Sequence, residues 1–378
     1  MKIKSVMLLL LTIVSPLANA HVSWFVNPDS EFDTVAQFGM FDPVTLVIGA
    51  GFCFILCAAF VVHWWLGVQE YSNAFLHYKM IFALSDIVRI VFGVFLLVNS
   101  LDGHLFAPHI VPGVSHQGVI LLQALAGVLL VSGKAVLLAC SVLMGLFTYL
   151  FAIKGAVVLL EYFNLVGIVL FILLMRFTAS VHWNERSNKA GSDAGNDEGI
   201  YVKFYSAVTV LRVTMGCALI TLGLSEKIMN PGLAMELMTQ YESLNFMGLL
   251  FEGFSHSIFI LCNGAAEILF GVIYLIGIVP RLNTAALAGF LISSNIYFYF
   301  MNEVDLAVME LVGHGPLLAT ALIILVAGSS KTYRSTFACV LDTANSIFTI
   351  DKGFARFVSA RGFVRNLSRG ALSRVRAD

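Results

Sequence analysis

Residues 85–93 of this chain read SDIVRIVFG, and residues 208–216 repeat the same skeleton as VTVLRVTMG. An arginine, a glycine and a later proline match at a constant offset of 123 residues: Arg89 and Arg212, Gly93 and Gly216, Pro108 and Pro231. A second set matches at an offset of 144 residues: Gln123 and Glu267, Gly127 and Gly271, Gly133 and Gly277. These matches predict a duplicated membrane module, and proteins with such repeats often place their site where the repeats meet.

The composition predicts a membrane protein. The chain of 378 residues is 59% hydrophobic and 12% charged, and its mean hydropathy is +0.89. A soluble domain would have roughly twice that charged fraction. Apolar runs long enough to cross a bilayer recur at nine places: 44–67, 82–102, 117–133, 135–153, 156–176, 204–224, 255–278, 282–301 and 311–328. We therefore expect an all-α, polytopic membrane helix bundle with about nine transmembrane helices after a cleaved signal peptide.

Residues 1–20 have the features of a signal peptide, with two lysines, an apolar core and Ala-Asn-Ala at its end. Cleavage after Ala20 would make His21 the mature N-terminus, and an uncleaved first helix is the alternative. Residues 21–43 contain acidic residues but no lysine or arginine, whereas the predicted inner loops and the tail are basic. This asymmetry predicts a bacterial-type inner-membrane protein with a periplasmic N-terminus and a cytoplasmic C-terminus.

The predicted organisation has six parts. They are a signal peptide (1–20), a periplasmic segment with the first transmembrane helix (21–74), a first four-helix module (75–180), a cytoplasmic linker (181–200), a second four-helix module (201–330) and a basic cytoplasmic tail (331–378). The tail mixes arginine with apolar residues, which predicts binding to anionic lipid rather than to nucleic acid.

The second module contains the fuller motif: Arg212, Gly216, Gly223, Lys227 and Pro231, then EILFG at 267–271, Gly277, and Pro280 followed by Arg281. This pattern resembles the DoxX family of small four-helix inner-membrane proteins. Relatives called DoxD form the membrane subunit of a thiosulfate:quinone oxidoreductase, so the resemblance implies a redox-linked, quinone-associated membrane subunit. In the first module Gln123 replaces Glu267 and His104 replaces Lys227. We therefore expect at most one module to keep the ancestral site.

Ionisable side chains inside a membrane normally face the bundle interior and have a partner. Arg212 and Glu267 are the predicted pair of the second module, with Glu267 as a proton carrier and Arg212 as its electrostatic partner. Asp86 and Arg89, three residues apart on one helix, are expected to pair locally. Asn263, one turn from Glu267, and Glu310 are predicted to line a cofactor cavity. The alternative is that these polar groups only hold helices together.

Six of the nine histidines fall at or near the predicted outer face: His21, His104, His109, His116, His256 and His314. An N-terminal His21 would offer its amine and its imidazole together, and a loop histidine could complete a copper or iron site. No HxxxH or CxxC spacing accompanies these histidines. Ordinary histidines at the membrane interface are the alternative.

Three functions remain open. The first is a redox-linked subunit that uses a quinone or a metal ion and a periplasmic redox or metal-donor protein. The second is a transporter of an ion, a metal or a small solute, and the third is a non-catalytic scaffold within a larger complex. The sequence has no phosphate-binding glycine loop, nucleophile elbow or HExxH motif, which argues against those enzyme classes.

Overall fold

A computed structural model describes residue 39 and residues 41–66, 78–111, 117–188, 197–245, 247–248 and 251–328. The predicted signal peptide, His21, His116, residues 189–196 of the predicted linker and the tail 331–378 lie outside the described residues. The helices are α1 Pro43–Leu66, α2 Tyr78–Leu101, α3 Gln117–Ser132, α4 Val136–Glu161, α5 Phe163–Asn188, α6 Asp197–Leu222, α7 Gly232–Gln240, α8 His256–Ile276, α9 Pro280–Phe300 and α10 Val304–Ala327. A π-helical turn, Gly223–Met229, follows α6, and a 3₁₀ turn, Glu242–Leu244, follows α7.

The structure is an all-α, polytopic membrane bundle, and the described residues contain no strand. Six helical segments are long and apolar enough to cross a bilayer: α1, α2, α4, α6 with its π turn, α8 and α10. Two shorter apolar segments are α3 and the first part of α5. A helix covers each of the nine predicted spans, and the number that cross the membrane stays a prediction.

The predicted boundary between the fourth and fifth spans agrees in part with the structure. We expected a break between residues 153 and 156, and the helical backbone of α4 is interrupted there at Gly155, whose φ of 84° and ψ of −176° are non-helical. Glycine adopts this conformation at little steric cost. A second helical piece then continues to Glu161, and the turn into α5 follows only at Tyr162.

The two sequence repeats form the same helix–helix contact. A Cβ atom on Gly93 of α2 would lie 3.0 Å from the carbonyl oxygen of Gly127 on α3. A Cβ atom on Gly271 of α8 would lie 2.6 Å from the carbonyl oxygen of Gly216 on α6. Small residues at such crossings let two backbones approach closely. The repeated glycines are therefore explained by packing.

Arg89 caps the neighbouring helix. Its guanidinium donates hydrogen bonds to the carbonyl oxygens of Leu130 and Val131 at the end of α3, beside Gly133. The last carbonyls of a helix have no partner within it, so a cation that reaches them satisfies these groups and complements the helix dipole. Asp86 holds the same guanidinium at 3.0 Å, which confirms the predicted local pair.

The second module has the corresponding arrangement. The guanidinium of Arg212 lies against Gly277, the residue that caps α8. Arg281, at the start of α9, donates to the carbonyl oxygens of Leu325 and Val326 at the end of α10, both at 2.8 Å. The repeated arginine therefore lies at a helix end in each module.

One hydrophobic core continues through both modules, because α5 packs along α6 and α2 packs against α10. Helix α1 is different, since most of its surface is exposed. It contacts α8 through Phe52, Leu56 and Ala59. The adjacent Trp64 and Trp65 are 85% and 79% exposed, as expected of aromatic residues at a membrane interface.

We expect Gly271→Ala to lower the free energy of unfolding by about 2 kcal/mol, because the new methyl would meet backbone at the α6–α8 crossing. Thermal unfolding in detergent micelles would measure this loss. Gly289→Ala on α9 is the matched control, since a Cβ atom there has nothing within 4 Å. That control should be neutral or slightly stabilising. Equal effects of the two substitutions would contradict the close crossing.

Candidate functional site

The π-helical turn Gly223–Met229 of the second module contains three polar residues, Ser225, Glu226 and Lys227. The amide N–H of Asn230 donates to the carbonyl oxygen of Ser225, five residues earlier, at 3.1 Å. Such wide turns are rare and frequently occur at functional sites. Two glycines allow α8 to approach the turn, since a Cβ atom on Gly223 would lie 2.7 Å from the carbonyl oxygen of Gly264. The close approach brings Lys227 against α8.

Lys227 and Glu267 form a largely buried ion pair. The ammonium lies 2.9 Å from both carboxylate oxygens of Glu267, and 3.8 Å from an oxygen of Glu226. The exposed fractions of the Lys227 and Glu267 side chains are 11% and 15%. Glu161 of α4 is close to this pair, because its carboxylate accepts a hydrogen bond from Ser225 at 2.7 Å. One cation therefore faces several carboxylates.

The prediction that Arg212 is the partner of Glu267 is wrong. Glu267 pairs with Lys227, and the guanidinium of Arg212 lies against Gly277, ten residues further along. At 1.5 Å per residue this separates the two groups by about 15 Å. The predicted catalytic residues Glu267 and Arg212 therefore do not come together.

The first module replaces the ion pair with neutral groups. Gln123, at the position of Glu267, is fully buried. Its side-chain oxygen accepts from the N–H of Phe106 at 2.9 Å. Its side-chain nitrogen donates to the carbonyl oxygen of His104, the residue at the position of Lys227, and to the hydroxyl of Ser100, both at 3.0 Å. This amide is occupied by the protein itself and leaves nothing for a ligand.

A cavity of about 540 Å³ lies in the second module, in contact with the ion pair. Its walls are mainly apolar and come from α6, α8, α9 and α10, including Phe259, Phe270 and Phe290. Residues of α7 and of the 3₁₀ turn complete the lining. The hydroxyls of Ser243 and Tyr297, 2.6 Å apart, connect the 3₁₀ turn to α9.

Polar groups enter the cavity from two sets of helices. Lys227, Asn263 and Glu267 come from the π turn and α8, so the expectation that Asn263 lines a cavity beside Glu267 agrees with the structure. The Asn263 amide makes no hydrogen bond to a residue that the structure describes. The second set comes from α9 and α10 and consists of Ser294, Tyr297, Glu310 and His314.

Glu310 and His314 form a buried polar pair in α10. An oxygen of Glu310 lies 3.8 Å from Nδ1 of His314, and the two side chains are 5% and 3% exposed. The amide of Asn295 also lies 3.4 Å from the same ring nitrogen. The second oxygen of Glu310 has no hydrogen-bond partner among the described residues. A buried acceptor without a partner is costly, so this oxygen is available to a ligand or to a proton.

The histidines of the predicted metal site are dispersed wherever the structure describes them. His104 and His109 lie in the loop after α2, His256 begins α8, and His314 lies in α10. Within the described ranges, no group of three His, Cys, Asp or Glu side chains could hold a metal ion together. A metal site that uses His21 or His116 stays a prediction, since both residues lie outside these ranges.

His109 is held neutral by its surroundings. Burial, reinforced by the positive charge of Lys154, lowers the pKa of its imidazole from 6.5 to about 3. Its ring stacks on Tyr162 with centroids 6.2 Å apart. The unfolded chain would bind a proton at this residue below pH 6.5, whereas the folded chain would not do so until about pH 3.

This difference predicts an acid-sensitive contribution to stability. The contribution is fully present above pH 6.5 and declines as the pH falls towards 3. His109→Phe keeps a ring against Tyr162 and removes the titrating group. We therefore expect the thermal midpoint of the variant to fall less between pH 7 and pH 4 than that of the unchanged protein. An identical fall in both proteins would contradict the burial of His109.

Sequence reasoning missed Lys227 as the partner of Glu267, and it missed the hydrogen bond from Ser225 to Glu161. The matching offsets contained a signal for this pair. Lys227 and Glu267 stand at the positions of His104 and Gln123, which are hydrogen-bonded to each other in the first module.

No protein-family model, no curated protein and no solved structure matches the chain.

Proposed function

We propose that this protein is a DoxX-like, redox-linked membrane subunit whose second module binds a quinone. One observation carries the proposal: a single cavity combines long apolar walls with two separate pairs of groups that can exchange protons. The pairs are Lys227 with Glu267, and Glu310 with His314.

The size and chemistry of the cavity support a quinone. Its volume of about 540 Å³ falls within the range of small-molecule sites. A quinone headgroup is a flat ring with oxygens at opposite ends, which needs apolar walls and hydrogen-bond donors on two sides. The amide of Asn263 on α8 and the hydroxyl of Tyr297 on α9 offer such donors from two helices.

The buried acids support a role in proton exchange. Quinone reduction consumes two electrons and two protons. Glu267 is positioned by two contacts with Lys227, and Glu310 has one oxygen without a hydrogen-bond partner in the described part of the chain. The Lys227 ammonium, held by Glu267, and the carboxyl of Glu310 can therefore each hold a proton at the wall of the cavity and release it to a ligand. The electrons must come from a redox partner, since no side chain of the cavity wall can supply them.

A binding titration tests the proposal. Detergent-purified protein is mixed with a short-chain quinone, and a fatty alcohol of similar length serves as the ligand control. We expect one saturable quinone site per chain, with no competition from the alcohol. Asn263→Leu keeps the approximate size of the side chain but removes its donor, and should weaken quinone binding by about 10-fold. Equal binding of the alcohol and the quinone would contradict the proposal.

A further inference from the structure

A second cavity, of about 50 Å³, lies between the two modules. Glu161, Asn164 and His314 provide polar groups, and the other walls are mainly apolar. Four residues line both this small cavity and the large one: Leu219, Leu222, His314 and Leu317. His314 is the one polar residue of the four, so it belongs to the walls of both spaces.

Glu161 faces the small cavity as a deeply buried acid. The residue is 2% exposed, and one of its oxygens accepts a hydrogen bond from Ser225. The other oxygen has no hydrogen-bond partner among the residues that the structure describes. The nearby ammonium of Lys227 already contacts Glu267 at 2.9 Å and Glu226 at 3.8 Å. A third negative charge buried beside one cation would be costly, which favours a protonated Glu161.

The small cavity can connect Glu161 to His314 through water. A buried water needs roughly 10–15 Å³ of such space and two or more polar partners, so the cavity has room for about three waters. Glu161, Asn164 and His314 supply the polar partners. Glu310, which lines the large cavity but not the small one, lies 3.8 Å from Nδ1 of the same imidazole. A continuous path from Glu161 to the large cavity is therefore available.

We propose that His314 is a proton-transfer residue that connects Glu161 in the small cavity with Glu310 in the large one. The O–H bond of the Glu161 carboxyl breaks as its proton passes to water, and that water gives a proton to the unprotonated nitrogen of the imidazole. The other ring nitrogen then releases its proton to the carboxylate of Glu310. Neutral imidazole can accept at one nitrogen and donate from the other, so it suits this transfer.

This inference rests on the proposed function only for the final acceptor, which would be the bound quinone. The relay itself can be tested without any quinone. Infrared spectroscopy detects protonated carboxyls, and Glu161→Gln identifies the band of Glu161 by its loss. After transfer of the protein into deuterated water, the rate at which this band shifts reports how quickly a deuteron reaches Glu161.

We expect His314→Gln to slow the shift by roughly 100-fold, the lower end of the contribution of a positioned acid–base group. His256→Gln is the matched control, because His256 is also hydrogen-bonded to an asparagine, at 3.2 Å, but lines neither cavity. Ala266→Phe fills the large cavity without replacing His314, so it should also slow the shift and serves if His314→Gln fails to fold.

Two results would overturn the relay. If Glu161→Gln removes no carboxyl band, Glu161 is ionised and has no proton to pass. If the band shifts at an unchanged rate in folded His314→Gln or Ala266→Phe protein, the proton reaches Glu161 by another route. Failure of quinone binding would leave both readouts intact, so it would count against the proposed function alone.

Discussion

Lys227→Met is expected to lower the free energy of unfolding by about 3–5 kcal/mol at neutral pH, the usual cost of removing one partner from a buried ion pair. The substitution would leave Glu267 without its cation and would remove the charge that also lies 3.8 Å from Glu226. Chemical unfolding in detergent micelles measures the effect.

Two comparisons separate this mechanism from a general packing defect. Glu267→Gln should cost less, since Lys227 would keep Glu226 as a neighbour. Lys227→Met combined with Glu267→Met should recover part of the loss, because no unpaired charge remains at that contact. A Lys227→Met protein as stable as the unchanged one would contradict the ion pair.

Ala266→Phe is expected to weaken quinone binding by at least about 10-fold, because Ala266 lines the large cavity and a ring there would occupy the ligand's space. The substitution fills an existing space, so we expect the unfolding midpoint to change little. The same quinone titration measures the affinity of the variant.

Ala286→Phe is the matched control for Ala266→Phe. Ala286 lies on the exposed surface of α9 and does not line the cavity. The Ala286→Phe variant should bind quinone like the unchanged protein, although it gains the same phenylalanine side chain as Ala266→Phe. Equal loss of binding in the two variants would show that the effect does not come from the cavity.

Hydrophobic run length located the helices well, but it could not locate every end. The residues around the fourth and fifth spans are apolar almost throughout, so the pattern contains no boundary except Lys154 and Gly155. The helix is interrupted there at Gly155, but the chain becomes helical again and turns only after Glu161. A single glycine can bend a helix without ending it, and hydropathy does not distinguish these outcomes.

The repeat predicted the helix contacts, and it also contained the information that corrects the ion pair. Gly216 lies opposite Gly271, and Gly223 opposite Gly264, which fixes the antiparallel register of α6 and α8. In that register Arg212 falls at the end of α8, more than two turns from Glu267. The predicted Arg212–Glu267 pair rested on opposite charge alone and did not consider that the two residues lie at different depths in the bundle. Lys227 comes within reach because the π turn follows the second glycine contact.

The polar content of the cavity could be predicted only in part. Asn263, Glu267 and Glu310 were recognised because polar groups inside apolar spans are costly and need a reason. The hydrogen-bond partner of Glu161 could not be recognised in this way, since Ser225 lies 64 residues away on a different module. The contacts between modules depend on tertiary packing, which local patterns do not contain.

The most direct test of the account is the location of a photoreactive quinone. The protein is irradiated with an azidoquinone in detergent micelles, and the labelled peptides are mapped by mass spectrometry. Competition with unlabelled quinone identifies specific labelling. The first module is an internal control, because the amide of its Gln123 is already hydrogen-bonded within the protein. We predict competed labels on α8 and α9 around residues 259–298 and none on α2 and α3. Labels that resist competition, or that mark both modules equally, would contradict a quinone site in the second module.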